Sequence, residues 1–220
     1  MLIAARNAFL MGGAKLPYDA EVEYIESTGT QYIDTGVSGA EHNLVITAGV
    51  RINTFSAYAG GFGNYVSEQT NCFRLILTQD NNGQAYANCG YVASSSHLIQ
   101  IFTLGAWHTV VLNGVDDRCF CDGVEFTKSN RFHQGVANAS MIVVFTSGGA
   151  PVGTWSKQVS AFKVGLNGVL VRDFIPVRVG SGSSAVGYLY DRANPTGGPL
   201  GNGLYPNAGS GAFVIGPDKP

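Results

Sequence analysis

The sequence predicts an all-β chain folded as an antiparallel two-sheet β-sandwich behind a short N-terminal arm or helix. Three observations carry this. Apolar residues recur at every second position over most of the chain, the period of half-buried strands. Asn-Gly and Asp-Gly pairs, which supply the positive φ angles of tight hairpins, punctuate those runs. Glycine reaches 30 of 220 residues while charged residues make up only 13%, against roughly 25% in an ordinary soluble domain. Many strands with turn-rich connections and no intervening helical periods fit two packed sheets.

The elements follow in order. Residues 1–19 form the arm. Leu2, Ile3, Ala5, Arg6, Ala8, Phe9, Leu10 and Met11 are tolerable helix formers, and Gly12-Gly13 is a stop. Such a helix is too short to stand alone, so Leu2, Ile3, Phe9, Leu10 and Met11 are assigned to anchoring on a neighbouring chain. Residues 20–220 form the sandwich. The cleanest strand is Asn43 to Ile52, with Leu44, Ile46, Ala48, Val50 and Ile52 on one face. Further strands are expected at Val22–Ile25, Gln31–Asp34, Cys72–Thr78, Gln84–Tyr91, Leu98–Leu104 and Trp107–Leu112. The series continues at Arg118–Asp122, Ser140–Thr146, Val159–Leu166, Val169–Ile175, Ala185–Tyr190 and Ala212–Ile215. Asn82-Gly83, Asn113-Gly114, Asp122-Gly123 and Asn167-Gly168 are the turns. Gly180–Ser184 and Asn194–Asn207 read as surface loops.

Composition also excludes functions. A formal net charge of −2 gives no electrostatic reason to bind a polyanion, so no nucleic-acid partner is expected. An apolar content of 45% is too high for a disordered chain. No apolar run is long enough to span a membrane. Arg6 and Asn7 interrupt the apolar start, in the wrong order for a secretory signal. The cysteines at 72, 89, 119 and 121 lack metal-binding spacing. Without an export signal they are expected to be reduced, with Cys119 and Cys121 as small core residues on one face of a strand. A Cys72–Cys89 bridge across a hairpin is the alternative.

Several stretches resemble one family. Glu23-Tyr-Ile-Glu-Ser-Thr-Gly-Thr-Gln-Tyr-Ile-Asp-Thr-Gly36 resembles the opening of laminin-G-like, concanavalin-A-like lectin/glucanase modules of phage and gut-bacterial proteins. Trp107-His-Thr-Val-Val-Leu, leading to Asp122-Gly123, is similar to that superfamily's strand with a buried Trp before an Asp-Gly hairpin. The close matches too: Val171-Arg-Asp-Phe-Ile-Pro-Val-Arg178, Val186-Gly-Tyr-Leu-Tyr-Asp191 and Gly209-Ser-Gly-Ala-Phe-Val-Ile-Gly216. The resemblance spans residues 21–218 and implies a lectin-like jelly roll. The apolar start before the module resembles phage members that serve as virion components. It implies a virion-surface location, assembly in the host cytoplasm, virion partners held through the arm, and a homo-oligomer. The Asn194–Asn207 loop is longer than the family pattern and is a candidate binding or contact feature.

Glucanases of the superfamily carry Glu-x-Asp-x-x-Glu, and Glu21-Val-Glu-Tyr-Ile-Glu26 approaches it. Alternation puts Glu21 and Glu23 on one face and Glu26 on the other unless a bulge intervenes, and a solvated edge strand explains the same charges. No catalytic residues are therefore assigned. His42, His97, His108 and His133 show no ligand spacing, and His108 is expected outward with Trp107 inward. No metal or cofactor is assigned, although Asp80-Asn81-Asn82 and Asp116-Asp117 are loop acids able to serve calcium. Sugar binding needs an aromatic face beside planar polar groups. Asn64 with Tyr65, Asn81 with Asn82, and Trp155 beside Thr154 are the candidates. The expected function is a non-enzymatic phage adhesion or decoration module that binds a host-surface glycan weakly and multivalently. The alternatives are a purely structural decoration protein, a glycoside hydrolase using Glu21 and Glu26, and a bacterial surface protein.

Overall fold

The computed structural model describes residues 15–39, 41, 43–53, 59–67, 70–79, 85–89, 103–126, 141–145 and 156–220. Among these the strands are β1 (Ala20–Glu21), β2 (Ile25–Ser27), β3 (Ile33–Ser38), β4 (Leu44–Ile52), β5 (Ala59–Ser67) and β6 (Thr70–Gln79). Next come β7 (Ala85–Cys89), β8 (Trp107–Asn113), β9 (Arg118–Cys121), β10 (Val124–Phe126) and β11 (Met141–Val144). The last are β12 (Lys157–Leu166), β13 (Val169–Val179), β14 (Val186–Asp191), β15 (Leu204–Tyr205) and β16 (Val214–Ile215). A 3-10 turn at Gly182–Ser184 is the one helical element among the described residues. All pairings are antiparallel. The larger sheet runs β10-β9-β8-β4-β12-β13-β14-β15, with β1 on β13 and β2 joining β12 to β16. The smaller runs β3-β11-β5-β6-β7. The protein is an antiparallel β-sandwich.

β4 lies at the middle of the larger sheet, between β8 and β12. Its inward positions Leu44, Ile46, Ala48, Val50 and Ile52 are all buried, as strict alternation predicts. They join Val110, Leu112, Val159, Phe162, Val164 and Phe174 from the same sheet, and Ile33, Phe62, Phe73, Leu75, Ile142 and Val144 from the other. The sheets meet where Phe62 and Phe162 pack edge to face, ring centroids 5.4 Å apart. Each fully buried aliphatic or aromatic side chain here contributes about 1.5–3 kcal/mol.

Several expectations need correction. Trp107 is 39% exposed and His108 only 7%, the reverse of the expected order. Val110 and Leu112 fix the parity of β8, so the position two before Val110 must face inward. Residues 98–102 lie outside the described residues, but Thr103–Ala106 is a turn rather than the end of a strand. β5 and β10 were not expected, and β15 sits inside the run read as loop. Cys119 is disulfide-bonded, so the cysteines are not all reduced; Cys121 is free and buried. The sulfur that Cys119 bonds lies outside the described side chains. The Cys72 and Cys89 side chains, the alternative pair, lie outside the described side chains, although their backbones stand on β6 and β7. The anchoring residues Leu2, Ile3, Phe9, Leu10 and Met11 lie outside the described residues. The tail of the arm is tied down: Asp19 donates its N–H to the Arg178 carbonyl at 2.9 Å, and Tyr18 packs edge to face on Tyr190 at 5.0 Å.

Candidate functional site

A groove of about 330 Å³ is lined by Asp34, Gly36, Arg172, Asn194, Gly198, Pro199 and Tyr205. Its walls come from both sheets, with Asp34 on β3 and Arg172 and Tyr205 on β13 and β15. Arg172 crosses between them, donating from Nε to the Thr35 carbonyl at 2.8 Å and from Nη1 to the Val171 carbonyl at 2.8 Å. Its Nη2 makes no hydrogen bond among the described residues. The guanidinium carbon stands 5.8 Å from the Tyr205 ring centroid. That ring is pinned edge to face on Phe174, centroids 4.7 Å apart, and burial holds the Tyr205 hydroxyl above its ordinary pKa. One wall is therefore rigid, aromatic and edged with donors.

The other wall is the loop after β14. Asp191 is fully buried and organises it. Its Oδ1 accepts from the Asp173 N–H at 2.9 Å and the Ala193 N–H at 3.0 Å, while Oδ2 lies 3.6 Å from Arg172 Nε without a hydrogen bond. Asn194 then continues the turn, its N–H donating to the Asp191 carbonyl at 3.3 Å. The loop closes tightly at Gly198, where φ is +76° and an added Cβ would lie 2.7 Å from Tyr205 Cε2. Only glycine fits there. Asp34 places one carboxylate oxygen on the Gly36 N–H at 2.8 Å. The groove thus offers a carboxylate, a primary amide and a guanidinium N–H on fixed supports, backed by the buried Tyr205 ring.

Of the residues expected at a sugar site, Asn81, Asn82, Trp155 and its neighbour Thr154 lie outside the described residues. Asn64 stands on β5, not in a loop, and is fully buried beneath Gly39. Its Oδ1 accepts from the Phe73 N–H at 2.9 Å, which makes it a strand-to-strand fastener out of a ligand's reach. Tyr65 follows on the same strand, where only the backbone is described. The Asn194–Asn207 run, flagged for its length, does line the groove. Asp34, Arg172 and Tyr205 were missed because three strands from two sheets bring them together; no local spacing encodes that.

The carboxylates of the glucanase-like spelling are scattered. Val22 and Ile25 are both buried, so alternation breaks at Glu23-Tyr24 and Glu26 does not take the inward face. Glu26 accepts from Ser156 Oγ and Gln158 Nε2, each at 2.6 Å. Register continues Glu26–Gln158–Arg51–Trp107 straight across β2, β12, β4 and β8. Arg51 donates to Gln158 Oε1 at 2.5 Å and stacks over Trp107 and Tyr24 at 5.1 and 5.4 Å. This ladder satisfies its own polar groups. Of the loop acids considered for calcium, Asp80 lies outside the described residues. Asp116 accepts from Asn113 Nδ2 at 2.9 Å, and Asp117 holds the turn at φ +57°. His42, His97 and His133 also lie outside the described residues. No described helix is long and apolar enough to cross a membrane.

No protein-family model matches this chain, and no curated protein matches it. Among solved structures, it is similar to the native heptameric SAP-like pentraxin from Limulus polyphemus. The TM-score is 0.44 at 13% identity, over 94% of this chain and 92% of that chain.

Proposed function

We propose that this chain is a non-enzymatic glycan-binding module that acts through the groove between β3, β13 and the loop after β14. The supporting observation is the groove itself: Asp34, Asn194 and Arg172 Nη2 converge beside the Tyr205 ring in a space of about 330 Å³. A sugar offers hydroxyls, which both donate and accept, and apolar C–H faces. A carboxylate and an amide meet the first, and exposed Pro199 meets the second, while the Tyr205 ring is only 2% exposed. The volume suits one or two sugar rings, so single-site affinity is weak. Presentation in many copies on a virion surface would raise avidity by about 10²–10⁴-fold. The motif resemblance to phage-borne modules supports that setting, with the arm holding the module to other virion proteins.

A glycan array probed with a multivalent display of the full chain tests the reading. Binding is expected, with Asn194→Ala and Asp34→Asn each reducing it at least about tenfold, the loss of one well-made hydrogen bond. Retention in both variants, with loss in Trp155→Ala or Tyr65→Ala, would move the site to those other positions. Blank arrays would leave structural decoration as the better account. Release of reducing sugar that vanishes in Glu21→Gln or Glu26→Gln would overturn the non-enzymatic reading.

A further inference from the structure

We infer that His108, Cys121 and Asp122 form a binding site for a divalent transition-metal ion of the zinc class, separate from the groove and independent of glycan binding. One ligand atom from each residue lies within 4.8 Å of the other two. The chain brings them together through the β8–β9 hairpin. Val110 pairs with Cys121, so His108, two residues before Val110, shares the inward face with the thiol. Asp122 turns out at φ +50° to begin the Asp-Gly turn, which returns its carboxylate to His108.

The donor set is imidazole, thiol and carboxylate, the mixture that borderline-soft zinc accepts in tetrahedral geometry. Zinc–ligand bonds of about 2.0–2.3 Å put neighbouring ligand atoms roughly 3.3–3.8 Å apart. The three side chains therefore need only small rotations. The imidazole–carboxylate contact, 2.7 Å between His108 Nδ1 and Asp122 Oδ2, opens as the ion enters. The far nitrogen is already held in the way a ligating histidine requires. His108 Nε2 lies 3.1 Å from the Thr103 N–H and 3.3 Å from the Thr103 carbonyl. It accepts from the first while Nδ1 carries the proton. It donates to the second once Nδ1 takes the metal, the backbone-carbonyl support that fixes ring orientation at metal sites. Access is open: the Asp122 side chain is 48% exposed while His108 is 7% exposed. An ion held there has a protein side of nitrogen and sulfur and a solvent side with room for water. Asp122 Oδ1 stays on the Thr109 N–H at 2.8 Å, so metal binding leaves the turn anchored.

The test is cobalt(II) titration of the full chain after chelator treatment, without reductant so that the Cys119 bond is kept. A 1:1 complex is expected, with tetrahedral visible bands and a thiolate-to-cobalt charge-transfer band in the near ultraviolet, both displaced by zinc. Cys121→Ser should abolish the charge-transfer band, and His108→Gln should weaken binding at least about tenfold. If Cys121→Ser does not fold, Asp122→Asn is the second variant: it keeps the turn, exchanges the carboxylate for a poor ligand, and should also weaken cobalt at least about tenfold. No band in the natural chain, or an unchanged band and affinity in the folded variants, would overturn the inference.

Discussion

Lys157 carries an ammonium group into the sandwich, where it lies among Val50, Ile52, Leu75, Phe145 and Val159 and is 5% exposed. Its Nζ donates to the Phe145 carbonyl at 2.5 Å. Burial lowers its pKa from 10.5 to about 8. The unfolded chain keeps that proton up to its ordinary pKa, while the folded chain gives it up near 8. Between those values the unfolded state binds more protons, so stability rises with pH. Below pH 8 both states are charged and the full penalty of burial applies. The Cys121 thiol works the other way: burial raises it from 9.0 to about 12, so its contribution is complete below pH 9 and declines above. The window from pH 8 to pH 9 therefore belongs to Lys157. Across it, unfolding free energy from urea titration is expected to rise by about 1 kcal/mol. Lys157→Met should remove the slope; an equal slope in that variant would assign it to another group.

Turns decide which strands meet, and two glycines separate backbone demand from crowding. Gly168, at φ +77° in the β12–β13 hairpin, has nothing within 4 Å of an added Cβ, whereas Gly198, at φ +76°, has Tyr205 Cε2 at 2.7 Å. Alanine at Gly168 should cost about 1 kcal/mol, the backbone term alone. Gly198→Ala must also displace the Tyr205 ring and should cost about 2–4 kcal/mol. Equal urea midpoints would show that the loop yields instead. Asn167-Gly168 and Asp122-Gly123 both adopt the positive φ angles read from their spelling. The Asn113-Gly114 turn is wider: Asn113 pairs with Arg118, and the positive φ falls on Asp117. β4 was legible because one face is buried and the other is not. β5, with three glycines in Ala59–Ser67, was not legible, because glycine carries neither period nor strand preference. The order of Trp107 and His108 was misread by ranking side chains on hydrophobicity. Counting back by twos from Leu112 gives the right answer. Of the groove, only the Asn194–Asn207 run was visible in the sequence, since its other residues converge through tertiary pairing.

The molecule as a whole is held by long-range pairing and by at least one covalent link. With Cys119 bonded and Cys121 free, one disulfide uses two of the four cysteines. Denatured, unreduced protein is therefore expected to titrate two thiols, and four after reduction. Four before reduction would show that the bond does not form. Reduction should lower stability by about 2–4 kcal/mol. The cross-strand ladder through Arg51 and Gln158 joins residues 107 positions apart, and β2 pairs with β16 near the other end of the sequence. During synthesis, β4 can meet β8 early but must wait for β12, and β2 waits first for β12 and then for β16. Each waiting strand leaves backbone donors and acceptors unpaired, and a neighbouring nascent copy can supply the same partner strand. Folding speed is thereby tied to the rate at which residues 157–215 emerge, and until they do the early strands keep open edges that a second copy could fill.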